Sequence, residues 1–379
     1  MKSQFEKISY NQPYISGSEI NYIQNSIKNN SFSGIGHFNK KCSSFFKEKF
    51  AFNHNYLTSS CTSALEMAAL LCEFEQGDEV IIPSFCYMTT AAAFIKSGAT
   101  VIFADSEKDS PNISIDSING LITTKTKAII IVHYAGSACK MAEIMSIVKK
   151  HNLILIEDCA HSIGAKWDNK FLGSFGHFST FSFHETKNVY CGEGGLLVVN
   201  DERFIDKCDK TWMKGTNRKD FEAGKASAYQ WVELGMSCQL SEINAAFLLA
   251  QLSNFDFIQK ARLEKWNNYY RQLKNISDKF EIPQIETLSQ HNGHIFYLKF
   301  NSNQSRELYR KALNDAGIMA IFHYQPLHLS DFWLGFNETQ NLENAKNWAD
   351  TILRLPLFID LNTEKQDYII ETIKSISIY

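Results

Sequence analysis

Seven short, mainly apolar runs, separated by stretches with helical spacing, occupy the chain up to about residue 255. The predicted strands are 55–58, 79–82, 100–104, 128–133, 153–157, 178–183 and 195–199. Several runs are continuously apolar rather than alternating, which is typical of strands buried on both faces. Intervening segments such as 63–71 and 141–151 carry helical spacing. This alternation predicts an α/β, doubly wound fold around a mostly parallel sheet.

The pattern changes toward the C-terminus. Residues 240–275 read as a long helical region, and the segments beyond it are a strand at 294–300, a polar helix at 305–316, a short strand at 319–323 and a helix from Glu364. Because single cores stop growing near about 250–300 residues, a chain of 379 residues favours two lobes. We predict a large domain at 1–255, with an N-terminal arm, and a small α+β domain at 256–379.

Charge, apolar runs and cysteine spacing exclude several classes of protein. The net charge is −3, which gives no reason to expect nucleic acid or an anionic membrane as a partner. The longest apolar runs, such as 128–132, fall far short of the roughly 20 residues of a membrane span. The N-terminus has no apolar stretch of a signal peptide, so we expect a cytoplasmic protein. The nine cysteines form no Cys-x-x-Cys pair, which favours free thiols and no metal site.

Four segments at or near predicted strand ends carry polar or glycine residues, and ligands of an open parallel sheet bind beyond these ends. Residues 58–63 contain hydroxyl groups before a helix and can form an anion site, although a plain helix cap is the more frequent explanation. Glu157 and Asp158 close an apolar strand. A buried carboxylate there needs a cation or a donor, and a structural ion pair is the alternative explanation.

Lys187 and the glycines at 192–195 complete the set. Lys187 follows a buried strand, where desolvation or a neighbouring cation would lower its pKa and make it nucleophilic. Taken alone, a lysine is more often solvated in a loop, and glycines that permit close backbone approach are a weak signal. Pyridoxal phosphate, however, needs a phosphate cradle, an acid at its ring nitrogen and a lysine for its aldehyde. The combination predicts an enzyme that binds this cofactor through a Schiff base with Lys187.

The motifs that carry these residues resemble the DegT/DnrJ/EryC1/StrS family of sugar aminotransferases, over essentially the whole chain. The most specific are EDCAH at 157–161, FSFHETK at 181–187 and GEGG at 192–195. The resemblance implies the type I fold of aspartate aminotransferase. Within the family, the chain looks most like members that form dTDP-4-amino-4,6-dideoxygalactose. The supporting stretches are SCT at 60–62, HYAG at 133–136, KGTNR at 214–218 and FHYQPLH at 322–328.

The resemblance implies roles at the cofactor ring. Lys187 would hold the cofactor and later shuttle the proton. Asp158 would keep the ring nitrogen protonated, and His161 stands where the family places Gln or His near the ring hydroxyl. Tyr87 follows Pro83 at the spacing of the aromatic residue that stacks on the ring.

The resemblance also implies phosphate contacts. Cys61 and Thr62 would donate backbone N–H groups, with the hydroxyls of Thr62 and Ser182 in addition. Many members have Gly where this chain has Cys61, and a backbone contact survives that change. Ser237 stands where many members have an Asn that reaches the phosphate of the neighbouring subunit. Because serine is shorter, its contact is either lost or bridged by water.

The implied reaction is transfer of an amino group from glutamate to dTDP-4-dehydro-6-deoxy-glucose, giving dTDP-4-amino-4,6-dideoxy-galactose for a surface polysaccharide such as O-antigen or enterobacterial common antigen. The 4-amino-glucose epimer, or another sugar nucleotide, is the alternative product. His323, Tyr324 and His328 are candidate substrate contacts, and a structural cluster explains them equally well. The family implies a homodimer, with a tetramer also open.

Three other classes fit less well. Dehydratases on this fold replace the lysine by His, whereas Lys187 is present. A non-catalytic binding or regulatory protein has no need of lysine, carboxylate and phosphate loop together, although fold alone does not imply function. A Rossmann dehydrogenase would have a G-x-G-x-x-G motif after the first strand, which this chain lacks.

Overall fold

The computed structural model describes residues 7–276, 278–338 and 340–376. The strands are β1 (Asn55–Thr58), β2 (Glu79–Pro83), β3 (Thr100–Ala104), β4 (Thr126–Val132), β5 (Ile154–Asp158), β6 (Lys166–Trp167), β7 (Lys170–Phe171), β8 (Phe178–Ser182), β9 (Gly195–Val199), β10 (Ser289–Gln290), β11 (Tyr297–Lys299) and β12 (Ile352–Arg354). The helices are α1 (Glu19–Lys28), α2 (His37–Phe50), α3 (Cys61–Leu71), α4 (Met88–Lys96), α5 (Ile115–Leu121), α6 (Met141–His151), α7 (Ile205–Trp212), α8 (Arg218–Glu222), α9 (Glu242–Ser253), α10 (Phe255–Leu273), α11 (Asn303–Asp315), α12 (Asp331–Leu334), α13 (Glu343–Thr351) and α14 (Thr363–Ser375).

A seven-stranded sheet in the order β1-β9-β8-β5-β4-β2-β3 forms the centre of the large lobe. The neighbours from β8 through β3 all pair in parallel, whereas β9 is antiparallel to both β8 and β1. All seven strands were predicted from the apolar runs, with bounds that differ by no more than a few residues. The α/β prediction with a mostly parallel sheet is therefore confirmed.

The continuously apolar strands are explained by cores on both faces of this sheet. Along β4, Ile129 and Ile131 belong to one apolar cluster, whereas Ala128 and Ile130 belong to the other. Successive side chains of a strand point to opposite faces, so a strand covered by helices on both sides is apolar at most of its positions. The charged residues Glu79, Lys127 and Asp158 lie at or next to the ends of β2, β4 and β5, and this directs ligand-binding groups to the sheet edge.

A third apolar core joins α10, α11 and α14 with the two-stranded pair β11–β12, and it includes Tyr269, Tyr309, Leu353 and Ile370. The long helical region proposed at 240–275 is two helices separated at Asn254, whose side chain donates to the carbonyl of Ala250. The domain boundary at 255/256 stays a prediction.

One predicted strand is wrong. Residues 319–323 form no strand, because only Ile321 bridges to Arg354 before the chain turns toward the cavity described below. β11 pairs instead with β12, a strand that was not predicted from the sequence. Among the described residues, none of the helices has both the length and the apolar character to cross a membrane.

Candidate active site

A cavity of about 370 Å³ lies beside the ends of β5 and β8, with a wall from the C-terminal lobe. Nine of the predicted site residues line it: Cys61, Thr62, Tyr87, Asp158, His161, Ser182, Lys187, His323 and Tyr324. The structure therefore brings together residues that are far apart in the chain, at the sheet edge where ligands of α/β folds bind.

The start of α3 presents free backbone N–H groups at one end of the cavity. The hydroxyl of Ser60 caps this helix by accepting from the backbone N–H of Ser63 at 3.0 Å. The first N–H groups of a helix have no acceptor within the helix, so Cys61 and Thr62 can donate to a phosphate. Gly195 of β9 packs against this turn, and a Cβ there would overlap the backbone of Ser60 and Cys61. The glycine motif thus keeps room for the phosphate loop.

Asp158 is a buried carboxylate on the wall of the cavity. It ends β5, is 4% exposed, and accepts hydrogen bonds from the Thr90 hydroxyl at 2.8 Å and the Ala160 N–H at 3.0 Å. Burial raises the pKa of Asp158, although these two hydrogen bonds and the nearby Lys187 oppose that shift. In the part of the chain that the structure describes, no Lys, Arg or His forms an ion pair with it. A protonated pyridine nitrogen would supply the missing partner.

Lys187 is a half-buried amine in the same cavity, and within the described ranges its Nζ has no hydrogen-bond acceptor. Burial lowers the pKa of Lys187 to about 8, with Cys61 and Asp158 opposing the shift and Arg354 adding to it. A lysine of this kind is neutral often enough near neutral pH to attack an aldehyde. The lone carboxylate and the free amine fit the ring nitrogen and the aldehyde of pyridoxal phosphate.

We expect the rate at which cofactor-free protein captures pyridoxal phosphate to rise between pH 7 and pH 9 and then level off, with a midpoint set by the lowered pKa of about 8. The rate rises with pH because only the neutral amine attacks the aldehyde. A lowered pKa means that the neutral form of Lys187 appears at a lower pH than for an ordinary lysine. Borohydride trapping followed by mass spectrometry measures the rate. A midpoint near the ordinary lysine value of 10.5, as for a simple alkylamine control, would contradict the burial argument.

Uncharged rings form the wall beside Lys187. The His161 ring accepts at Nδ1 from the Ala135 N–H at 3.4 Å, and its Nε2 lies 3.4 Å from the hydroxyl of Tyr324. Burial lowers the pKa of His161 well below its usual 6.5, and nearby Lys187 adds to the shift. Burial and the nearby Lys187 also lower the pKa values of His323 and the neighbouring His294 well below 6.5. These histidines can exchange hydrogen bonds with a ligand without carrying charge.

Two predicted residues lie outside this cavity. The ring of His328 is buried, and its Nδ1 is 2.6 Å from the Ser84 hydroxyl, so within this chain it is part of a structural pair. Ser237 is exposed and does not line the cavity of its own chain. A contact from Ser237 to the phosphate of a second subunit stays a prediction.

Sequence reasoning missed Thr90, His294 and Arg354, which also line the cavity. Thr90 stands three residues after Tyr87, so its position on the first turn of α4 was readable, but its contact with Asp158 arises only from the tertiary fold. Arg354 lies in an apolar stretch of sequence, LRLPL at 353–357, where a charged residue is unusual. That anomaly was the available signal.

Glu157, next to Asp158, is a structural carboxylate. One oxygen accepts from the N–H groups of Phe175 and Gly176, and the other from the Gly173 N–H and from Nε2 of His133 at 3.0 Å. Burial would raise the pKa of Glu157, yet these hydrogen bonds lower it overall. Cys159 is close to His133 and Glu157, but four N–H groups already occupy the carboxylate. Glu157 therefore anchors residues 173–176 to β5.

Replacing Glu157 by glutamine should lower the free energy of unfolding by roughly 2–4 kcal/mol, because an amide cannot accept from four N–H groups. Since folding lowers the pKa of Glu157 from 4.5, the wild-type stabilisation is present above that pH and is lost as pH falls further. Urea unfolding measures the change. Exposed Glu143→Gln is the control and should shift the value by less than about 0.5 kcal/mol; equal effects would refute the anchoring role.

Comparison with known proteins agrees with this geometry. The model of the DegT/DnrJ/EryC1/StrS aminotransferase family matches residues 13–374. The chain is 32% identical over 365 residues to GDP-perosamine synthase of Escherichia coli O157:H7, with 96% of each chain covered. It is 29% identical over 382 residues to the spore coat polysaccharide biosynthesis protein SpsC of Bacillus subtilis, with 97% of each covered.

Solved structures share the fold over nearly the full length. Helicobacter pylori PseC, an aminotransferase involved in the biosynthesis of pseudoaminic acid, has a TM-score of 0.90 and 26% identity, covering 97% of this chain and 98% of that one. Spr1654 from Streptococcus pneumoniae in its pyridoxal phosphate form has a TM-score of 0.89 at 24% identity, over 97% of this chain and 98% of that one. The chain therefore belongs to the DegT/DnrJ/EryC1/StrS aminotransferase family and is a pyridoxal-phosphate-dependent sugar aminotransferase with a type I fold.

Proposed function

We propose that this enzyme transfers the amino group of glutamate to C4 of dTDP-4-dehydro-6-deoxy-glucose and forms dTDP-4-amino-4,6-dideoxy-galactose. The observation that carries the proposal is that one cavity holds a free amine, Lys187, and a buried carboxylate, Asp158, which forms no ion pair among the described residues. A binding protein has no use for both. The dTDP sugar and its configuration rest on the motif resemblance.

Lys187 is placed to move the proton that transamination requires. Bound pyridoxal phosphate supplies an electron sink that stabilises negative charge on the substrate carbon. The Lys187 amine, with its pKa lowered to about 8, can take a proton from that carbon and return it at the cofactor carbon. Such matching of pKa to working pH is what general acid–base catalysis needs.

Asp158 and His161 would hold the ring in the state that this proton transfer needs. Asp158 pairs with the ring N–H, and Thr90 and Ala160 fix the orientation of its carboxylate. His161, kept uncharged by burial, lies where it can hydrogen-bond the ring hydroxyl. Tyr87, which is 53% exposed at the cavity mouth, would cover the ring from the solvent side.

The wall formed by His323, Tyr324 and His294 would bind the sugar. All three side chains can donate or accept hydrogen bonds, and burial shifts their pKa values so that none is charged at neutral pH. Neutral donors and acceptors suit the hydroxyl and keto groups of a hexose. In this proposal, His328 supports the wall from outside through its contact with Ser84.

One assay separates the candidate products. Purified enzyme with pyridoxal phosphate and glutamate is offered dTDP-4-dehydro-6-deoxy-glucose, and proton couplings at C4 of the product are read by NMR. We expect the axial amine of the galactose configuration. An equatorial amine would indicate the glucose epimer, and turnover only with a GDP-linked keto sugar, as the name of the E. coli relative suggests, would refute the dTDP substrate.

We also propose a homodimer in which each subunit completes the other's active site. Support comes from the exposed apolar side chains of Tyr229, Trp231, Val232 and Leu234, which are 47–76% exposed just before Ser237. Exposed patches of this kind usually mark interfaces. Light scattering should give about twice the chain mass of 43.3 kDa; a value near one chain mass would refute the dimer, and about four times would indicate a tetramer.

A further inference from the structure

Arg354, the last residue of β12, places a cation in the cavity without a carboxylate partner. Its guanidinium lines the cavity, and its one polar side-chain partner in the described ranges is His323. The Nε atom is buried and has no hydrogen-bond acceptor among those residues. Buried charges in proteins are normally paired, so an arginine left in this state points to an anion that binds from outside.

Neutral neighbours hold this guanidinium in place. One of its terminal nitrogens donates to Nε2 of His323. Because arginine cannot accept, Nε2 must carry a lone pair, and the ring hydrogen is then on Nδ1, which donates to the Tyr134 hydroxyl at 3.1 Å. On another side, the guanidinium carbon is 5.5 Å from the ring centre of Tyr10. These contacts orient Arg354 and leave its charge uncompensated.

The carboxylates of the cavity lining do not compensate that charge. Asp158 accepts from Thr90 and Ala160, and the largely exposed Glu193 lies 3.7 Å from His184 at the mouth. His161 and His323 line the same cavity and are close to both Arg354 and Lys187, and burial and these two cations lower their pKa values. An anion with its charged group next to the reacting amine would meet two cations, Lys187 and Arg354, while the Asp158 carboxylate is held by its own two donors.

We propose that Arg354 binds the carboxylate of the amino donor that is attached to the reacting carbon, an inference that rests on the proposed function of this site. In an amino acid, that carboxylate and the amine share one carbon, so a cation close to Lys187 can reach it. In a sugar nucleotide, the whole sugar ring separates C4 from the diphosphate. A planar guanidinium matches the two carboxylate oxygens, and the His323 contact sets its angle.

The test measures each half-reaction separately in wild type, Arg354→Gln and Arg354→Lys, with cofactor bound. We expect Arg354→Gln to raise the apparent Kd for glutamate by about 10²-fold, the usual size for losing a charged hydrogen-bond pair. Arg354→Lys should restore only part of that affinity, because an ammonium cannot bind in the bidentate manner. The affinity for the amino-sugar nucleotide in the reverse direction should change less than about threefold in both variants.

A second readout needs no reaction. Calorimetry should detect binding of glutarate, a dicarboxylate without an amine, to wild type and a loss of that binding in Arg354→Gln. Arg310→Gln is the matched control, since Arg310 is a half-exposed arginine paired with Glu307 outside the cavity, and it should bind both ligands as wild type does.

The results of these two experiments either support or overturn the assignment of Arg354 to the carboxylate of the amino donor. Unchanged glutamate and glutarate affinities in Arg354→Gln would overturn the inference, as would a loss confined to the sugar nucleotide, which would assign Arg354 to the diphosphate. If wild type does not react with glutamate yet binds glutarate through Arg354, the proposed donor fails while the carboxylate site stands.

Discussion

Replacing Lys187 by alanine should lower the rate of amino transfer by about 10⁴-fold or more, because the same amine binds the cofactor and moves the proton. The phosphate turn at α3 and the Asp158 carboxylate remain in the variant, so cofactor is still expected to bind without a covalent link. Borohydride reduction followed by mass spectrometry should find the cofactor on wild type and none on the variant. Single-turnover reaction with glutamate gives the rate.

Lost folding would not explain this result. The pKa of Lys187 is lowered in the folded protein, from 10.5 to about 8, so the charged lysine destabilises the fold below pH 8 and this penalty fades as pH rises toward 10.5. We therefore expect Lys187→Met, which keeps the aliphatic stem, to melt no lower than wild type without cofactor. Exposed Lys346→Ala is the activity control. Rates within tenfold of wild type in Lys187→Ala would refute its assignment.

Replacing Asp158 by asparagine should lower the rate of proton removal from glutamate by about 10³-fold, since a neutral amide cannot hold the ring nitrogen protonated. The side chain keeps its size, its one oxygen can still accept from the Ala160 N–H, and its new amide N–H can donate to the Thr90 hydroxyl, which bonds the other carboxylate oxygen in wild type. Covalent capture of the cofactor by Lys187 should therefore persist. Exchange of the glutamate α-proton for deuterium, followed by NMR, measures the chemical step directly.

Thr90→Val is the matched variant for this test. It removes the hydroxyl that donates to Asp158 and leaves the carboxylate, so we expect a loss of about tenfold, well below that of the asparagine variant. If Asp158→Asn exchanges the proton within threefold of wild type, the ring nitrogen is not held by Asp158. If the two variants lose equally, the hydroxyl rather than the charge matters.

The large lobe was predictable because several of its strands are apolar at nearly every position, as strands buried on both faces are. A run such as 128–132 fits few structures other than a covered strand, and β4 spans Thr126–Val132. The C-terminal lobe was harder to predict, because its strands are short. β12 has only three residues and follows α13 directly, and residues 319–323 have the composition of a strand but make only one bridge.

The site was predictable where function adds a polar residue to a strand end, as at Asp158, or just beyond one, as at Lys187. It was not predictable where the contact depends on distant segments. Thr90 hydrogen-bonds Asp158, which is 68 positions away in the sequence, and Arg354 hydrogen-bonds His323, which is 31 positions away. Histidine is a residue type that often binds ligands, yet the ring of His328 is turned toward Ser84. Spacing in sequence does not report which way such a ring faces.

The two acids that end β5 have a consequence for how this enzyme can diverge. Adjacent strand residues face opposite sides, so a slip of one position would replace Asp158 in the cavity by the anchoring Glu157. The four N–H groups that donate to the Glu157 carboxylate oppose any such slip. They thereby fix the direction in which the Asp158 side chain points. Under the proposed function, substitutions at the far wall, at His294, His323 or Arg354, can then alter substrate preference while Asp158 keeps its orientation. Chemistry and specificity would thus be able to evolve separately in one cavity.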